Sequence, residues 1–353
     1  MKRHFGLRGL ILCGASCFLA CAPRPPSLSS SVGIEPDGGA GPRVLYFLSD
    51  TNAGRASMGA FALSEDYLNF TVSPGGVYRI PKYGGEAAPI EVDSQSFFRY
   101  VGARADTVAW IRAPYDSFGT SPPPRLRKLT IGQDAVTLAE IAADTPAPVP
   151  FIPELQVTST SVFFNDGAPH ISQVALADGA ATIVALPEEA RQPDWLADES
   201  FVFYLSPRPP DGCALSQIVL GDGAALELAG CPPAAVRPWL VAIDATDVYL
   251  GASNGFWRIP KEGGTPVAIY APAGADVILP RLAAIDDQNI YFLRSAGATP
   301  LLTSTPKAGG TPTTIWDGVR GGLGDVAQLA QDGPSLFTRH PWGIQIFPKT
   351  PAD

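Results

Sequence analysis

The sequence predicts an all-β fold, a four-stranded sheet repeated about seven times around an axis, and three observations predict it. The first is a recurring glycine-tipped segment. Arg79-Ile80-Pro81-Lys82-Tyr83-Gly84-Gly85 returns as Arg258-Ile259-Pro260-Lys261-Glu262-Gly263-Gly264, and again as Thr305-Pro306-Lys307-Ala308-Gly309-Gly310. Looser copies are Leu176-Ala177-Asp178-Gly179 and Leu220-Gly221-Asp222-Gly223, with Gln133-Asp134 the most degenerate. The second is spacing. Turn residues 85, 134, 179, 223, 264 and 310 lie 49, 45, 44, 41 and 46 apart, and Phe347-Pro348-Lys349 begins a seventh copy. Periods of about 40–50 residues suit the blades of a β-propeller. The third is texture: short apolar runs with turn signals every ~8–12 residues and almost no helical periodicity. A single propeller of seven four-stranded blades follows, with six or eight blades as the alternatives.

From the N-terminus, residues 1–20 read as a signal peptide. Lys2, Arg3 and Arg8 form a positive start, and Leu10 to Ala20 is an uncharged, largely apolar run. The run is shorter than the ~20 residues a spanning helix needs. It ends in Phe18-Leu19-Ala20-Cys21, which resembles a lipobox with Cys21 as the lipidated residue, though phenylalanine stands where leucine is usual. Cys17 after Gly14-Ala15-Ser16 is a second possible site, and an ordinary cleaved signal the alternative. Residues 21–42 are rich in Pro, Ser and Gly and read as a flexible tether. Ala22 lacks the aspartate that holds many lipoproteins in the inner membrane, so an outer-membrane lipoprotein facing periplasm or cell surface is expected for a Gram-negative host.

Residues 43–353 form the propeller. Blade five shows the unit best: a strand over 237–243, a turn at 244–247, a second strand over 248–250 and a third over 256–259. Gly263-Gly264 makes a tight hairpin, because positive φ is cheap only for Gly, Asn or Asp, and residues 266–270 close the blade. Prolines 81, 260, 306 and 348 fall at third-strand ends, where a missing N–H does little harm. The chain stops before a fourth strand of blade seven. Arg43 to Ser49 is a strand with no local partner and is expected to fill that place, removing an open sheet edge.

Cysteine and charge agree with export. Cys213 and Cys231 remain after the signal and Cys21 are set aside, nearly equidistant from the Gly221–Gly223 tip, and are expected to form a disulfide. Two buried thiols are the alternative. Loss of the signal removes three of 25 basic and none of 34 acidic residues, leaving a mature charge of −12. That excludes nucleic acid as a partner and leaves the lipid as the only membrane attachment; a monomer is expected.

The unit Asp-x-x-x-Val-Tyr followed by Arg-Ile-Pro-Lys-x-Gly-Gly-x-Pro resembles a repeat of bacterial secreted and lipoprotein propellers of unassigned function, and more distantly YWTD-type and TolB-like propellers. The likeness spans about residues 58 to 350 and is strongest in blades one, five and six. Blades two to four lack the Pro-Lys pair, and Tyr249-Leu250 and Tyr291-Phe292 lack the tryptophan usual after tyrosine. The resemblance implies a fold and an envelope location but no activity.

Chemistry is sparse. No zinc-type spacing exists, and no cofactor or metal is expected. Gly251-Ala252-Ser253-Asn254-Gly255 matches a nucleophile motif, but it joins two strands and reads as a turn. Asp244 with Asp247 and Asp286 with Asp287 read as turn caps rather than calcium ligands. The loops between second and third strands differ most among blades. Arg112, Tyr115 and Asp116 in blade two, Asn165, Asp166 and His170 in blade three, and His340 and Trp342 in blade seven are the candidate ligand residues. No catalytic residue is assigned. The expected function is a non-catalytic module binding an envelope protein, peptide or glycan. The alternative is an enzyme (hydrolase, lyase or quinoprotein-like) with its site at the channel mouth.

Overall fold

The structure, a computed structural model, describes residues 42–47, 57–73, 75–114, 124–141, 155–165, 170–187, 194–208, 212–233, 235–272, 274, 276–297, 299–317, 323–341 and 343–349. The proposed signal, Cys21 and nearly all of the tether lie outside them, as do Tyr115, Asp116, Asp166 and Trp342.

Seven four-stranded antiparallel sheets form a seven-bladed β-propeller. Blades one to six span residues 57–93, 96–140, 155–185, 195–230, 239–270 and 277–317. Blade seven combines residues 328–348 with the N-terminal strand Arg43–Phe47, which pairs with Gly343–Pro348 (Arg43 opposite Ile346, Phe47 opposite Gly343). The chain therefore closes its own ring, as expected. Tyr46 seals the closure: it is fully buried, with its ring 4.5 Å from that of Phe70 in blade one. Within blades one to six the chain runs outward from an inner strand at the axis, and blade seven does so over its first three strands.

The core lies between blades. One cluster joins Phe203 and Leu215 of blade four, Tyr249 and Phe256 of blade five, and Phe292 of blade six. Phe256 and Phe292 meet at 4.9 Å across the boundary between blades five and six. Such apolar surface, removed from water at about 25 cal/mol per Å², drives blade stacking.

The repeat signature is an inter-blade staple. Asp244, in the first turn of blade five, accepts from the Thr246 and Asp247 amides through one oxygen. Its other oxygen accepts from the Tyr249 hydroxyl (2.7 Å) and from Lys307 of blade six (2.5 Å). Lys307 also lies over the Tyr249 ring, 4.8 Å from its centroid. Asp286, Tyr291 and Lys349 repeat this at the next boundary. Lys261 pairs with Asp198 at 2.7 Å, and Lys82 with Asp332 across the closure. The aspartates thus cap turns, as the sequence suggests, and also hold the neighbouring blade.

The third-to-fourth connections are longer than the two-residue hairpins expected. Blade five leaves its third strand at Pro260 and starts its fourth at Val267. The extra length lets Lys261 reach blade four while the Gly263 amide donates to the Pro260 carbonyl. Gly263 and Gly264 have φ of 89° and 135°. In blade two the positive-φ residue is Gly132 rather than Gln133 or Asp134, so the degenerate copy is shifted along the chain by that much. In blade four Cys213 and Cys231 form the disulfide, with Cα atoms 5.1 Å apart.

Candidate functional site

The described candidate residues are engaged in structure. Arg112 bonds Glu91 at 2.8 Å, Ser96 Oγ at 3.1 Å, and Asp93, tying blade two to the outer strand of blade one. Glu91 also accepts from Trp110 and Arg127. The Asn165 side-chain amide donates to the His170 carbonyl and closes its loop within blade three. His340 is fully buried, 3.0 Å from the Thr338 hydroxyl. Burial lowers its pKa, against opposing contributions from Gln345 and Asp325, so the neutral imidazole is favoured. Asn165 and His170 meet; Arg112 is tied into blade one, and His340 bonds within its own strand of blade seven. The Gly251 to Gly255 segment is a turn between two strands, and a Cβ on Gly251 would meet the Trp239 indole at 2.7 Å.

Among the described residues a concave site lies on the axis. A pocket of about 420 Å³ opens among the ends of the inner strands. Its lining includes Phe61 and Ala62 of blade one, Val101 to Arg104 of blade two, and Leu155 to Thr158 of blade three. Ala197 and Asp198, Ile243 and Asp244, Lys261 and Gln328 complete it. The mouth belongs to the face carrying the first-to-second and third-to-fourth turns, because Thr158, Asp198 and Asp244 begin those first turns. Second-to-third loops emerge on the other face. Of the candidates singled out from the sequence, the described ones, Arg112, Asn165, His170 and His340, are not part of this pocket.

Most polar groups of the lining already have structural work. The Gln328 amide both donates to and accepts from the Phe61 backbone (2.8 and 3.0 Å), and Gln156 accepts from the Ala197 amide at 2.7 Å. Each thus joins one inner strand to the next blade. Asp198 and Asp244 are paired with Lys261 and Lys307. Burial opposes the Asp244 charge, but Lys307, the Tyr249 hydroxyl and two backbone amides outweigh it and hold the carboxyl well below the usual range.

Arg104 is the exception. It is the last residue of its inner strand, five before Ala109, and so takes the place that Asp244 holds five before Tyr249. The corresponding residue of the next blade is Leu176, whose amide bonds the Thr160 carbonyl as that of Lys261 bonds Thr246. An arginine thus stands where four blades carry aspartate, facing no lysine. Aligning first turns by that five-residue offset would have found it.

At the other end of the channel Arg281 pairs with Asp194, just before the inner strand of blade four. Arg281 sits in a bulge where four residues of blade six, 279–282, oppose one on the second strand, and its φ is 60°. It thus reaches past blade five, bracing the mouth opposite the pocket. Among the described residues no group of three or more His, Cys, Asp or Glu side chains is placed to hold a metal.

No protein-family model and no curated protein sequence matches the chain. Solved structures do. A puromycin-hydrolysing peptidase of Mycobacterium tuberculosis is 14% identical over 87% of this chain and 54% of its own, with a TM-score of 0.58. YCF48 bound to D1 peptide is 12% identical over 88% of this chain and 94% of its own, TM-score 0.56. The tricorn protease is 14% identical over 88% and 34%, TM-score 0.56. The chain spans about half the length of the peptidase and about a third of the protease. All three are propeller proteins, some enzymes and some not, and at such identities the likeness shows the fold alone.

Proposed function

We propose that the protein is an envelope-anchored lipoprotein whose propeller is a binding module, with the axial pocket as its ligand site. The observation that carries this reading is the pocket itself: about 420 Å³, within the range of small-ligand sites, with its carboxylates committed to holding blades together. Catalysis requires titratable groups converging on one reacting atom. Asp198 and Asp244 instead sit in ion pairs that fix the ring. The Phe18-Leu19-Ala20-Cys21 segment and the Cys213–Cys231 disulfide support an exported location.

The pocket is tested by filling it. Full-length protein, purified in detergent, is used to capture partners from native envelope, in parallel with Ala197→Trp, which occupies the lining. Partners retained by the parent and lost by the folded variant support the reading; identical capture by both refutes the pocket. Anchoring is tested separately: Cys21→Ala moves the protein from the membrane to the soluble fraction. Retention of that variant on membranes refutes the lipid.

A further inference from the structure

We infer that the axial pocket takes a ligand carboxylate, with Arg104 as the cation that receives it; the inference rests on the pocket being the binding site. Three observations support it. The lining is mixed, with Val157, Ile243 and small alanines beside Gln156, Asp198 and Lys261. Its aspartates and glutamines are committed to partners within the ring, so they have little left to offer a ligand. The Arg104 guanidinium is not so committed.

The one carboxylate within ion-pair reach of Arg104 among the described residues is Glu199, at 3.8 Å, beyond hydrogen-bond distance. Glu199 is already occupied, accepting from the Ser159 amide and hydroxyl, each at 2.6 Å, and from the Thr160 hydroxyl at 2.8 Å. The Arg104 side chain is 55% exposed, so its charge is kept hydrated at the rim rather than spent inside. A planar guanidinium offers two parallel donors that match a carboxylate. The remaining seats for Asp in the staple hold Asp, Ser or Thr, so the fold itself does not ask for a cation here. The ligand chemistry is that of a carboxylic acid, whether a free small acid or the end of a peptide chain.

The test is calorimetric titration of the full-length protein with N-acetyl-leucine, N-acetyl-leucinamide, Ala-Ala-Leu and its C-terminal amide, each up to about 10 mM. Both acids are expected to bind at least tenfold more tightly than their amides. Arg104→Gln is expected to bring the acids down to the level of the amides, while Arg125→Gln, on an exposed pair outside the pocket, leaves them unchanged. Tighter binding of the tripeptide points to a chain end as the source, and equal or tighter binding of N-acetyl-leucine to a free acid; both support the shared chemistry. Amides that bind as well as acids, an Arg104→Gln variant that binds as the parent does, or no binding by any probe overturns the inference. Pocket-dependent capture from envelope, lost in Ala197→Trp, would then still leave the binding reading standing.

Discussion

Lys307 and Lys349 each meet a carboxylate of the preceding blade and the face of its tyrosine, with the hydroxyl of that tyrosine on the same carboxylate. Lys307 is 15% exposed, so its pair lies between the buried and surface regimes. Lys307→Met is expected to destabilise by about 2 kcal/mol in urea unfolding. A cycle with Asp244→Asn should recover a coupling of about 1 kcal/mol; additive losses would mean the staple does not act as a unit. The acid limb follows from the same residues. Burial resists the charge of Asp286, yet Lys349, the Gln288 and Asn289 amides and the Tyr291 hydroxyl lower its carboxyl to about 2. Glu199, also partly buried, is lowered to about 2 by the Ser159 and Thr160 donors. Both carboxyls hold protons less well in the folded chain than in the unfolded one. Their stabilisation is therefore complete above their ordinary values of 3.8 and 4.5 and is lost as pH falls toward 2. Lys349→Met combined with Glu199→Gln should flatten the fall in melting temperature across that window. An unchanged slope would assign acid unfolding to other groups.

Connections between third and fourth strands show how far local sequence reaches. Their position, their glycines and the prolines before them are all visible in the repeat, because positive φ and a strand-ending proline leave few residue choices. Their purpose is not. Gly179 has φ of 77°, and a Cβ there would lie 2.1 Å from the Leu138 carbonyl oxygen of blade two. Gly179→Ala is thus expected to cost about 2 kcal/mol or more, measured as a drop in the unfolding midpoint. A neutral substitution would mean the two blades separate readily. The disulfide could be expected from cysteine count and spacing alone. It joins residues 18 apart, Cys213 on the third strand of blade four and Cys231 just past the end of the fourth. Replacing both cysteines by serine should lower stability by about 3 kcal/mol, and a reducing agent should bring the parent to the same midpoint. If reduction leaves the midpoint unchanged, the crosslink adds nothing to the fold. The pocket was hidden for a different reason. Its walls come from one to four residues on each of six blades, and only the ring brings them together. Arg112, which precedes one of the variable loops, is instead tied into blade one.

Ring closure was legible because one apolar strand had no local partner and the last blade lacked one. In a closed ring each blade needs both neighbours, so damage at the seam should be felt everywhere. Tyr46→Ala removes a fully buried ring from the junction of blades seven and one. It is expected to cost about 3–5 kcal/mol and to expose the edge of the Gly343–Pro348 strand to association. Calorimetry and light scattering would read the two effects. A variant that still melts as one unit at the parent temperature and stays monomeric would show that the seam is not critical. The geometry of that seam also sets the side from which the chain enters the ring. Arg43 enters blade seven opposite Ile346, near Pro348 and the Lys349–Pro334 turn contact, which is the side of the ring where the axial cavity opens. Whatever leash leads back from residue 42 departs from that rim. Residues 22–42 can stretch to about 70 Å at most. Any anchor carried at Cys21 would thus be joined to the ring from the same side as the cavity mouth, so a bulky label placed at residue 42 should crowd that mouth and not the opposite one.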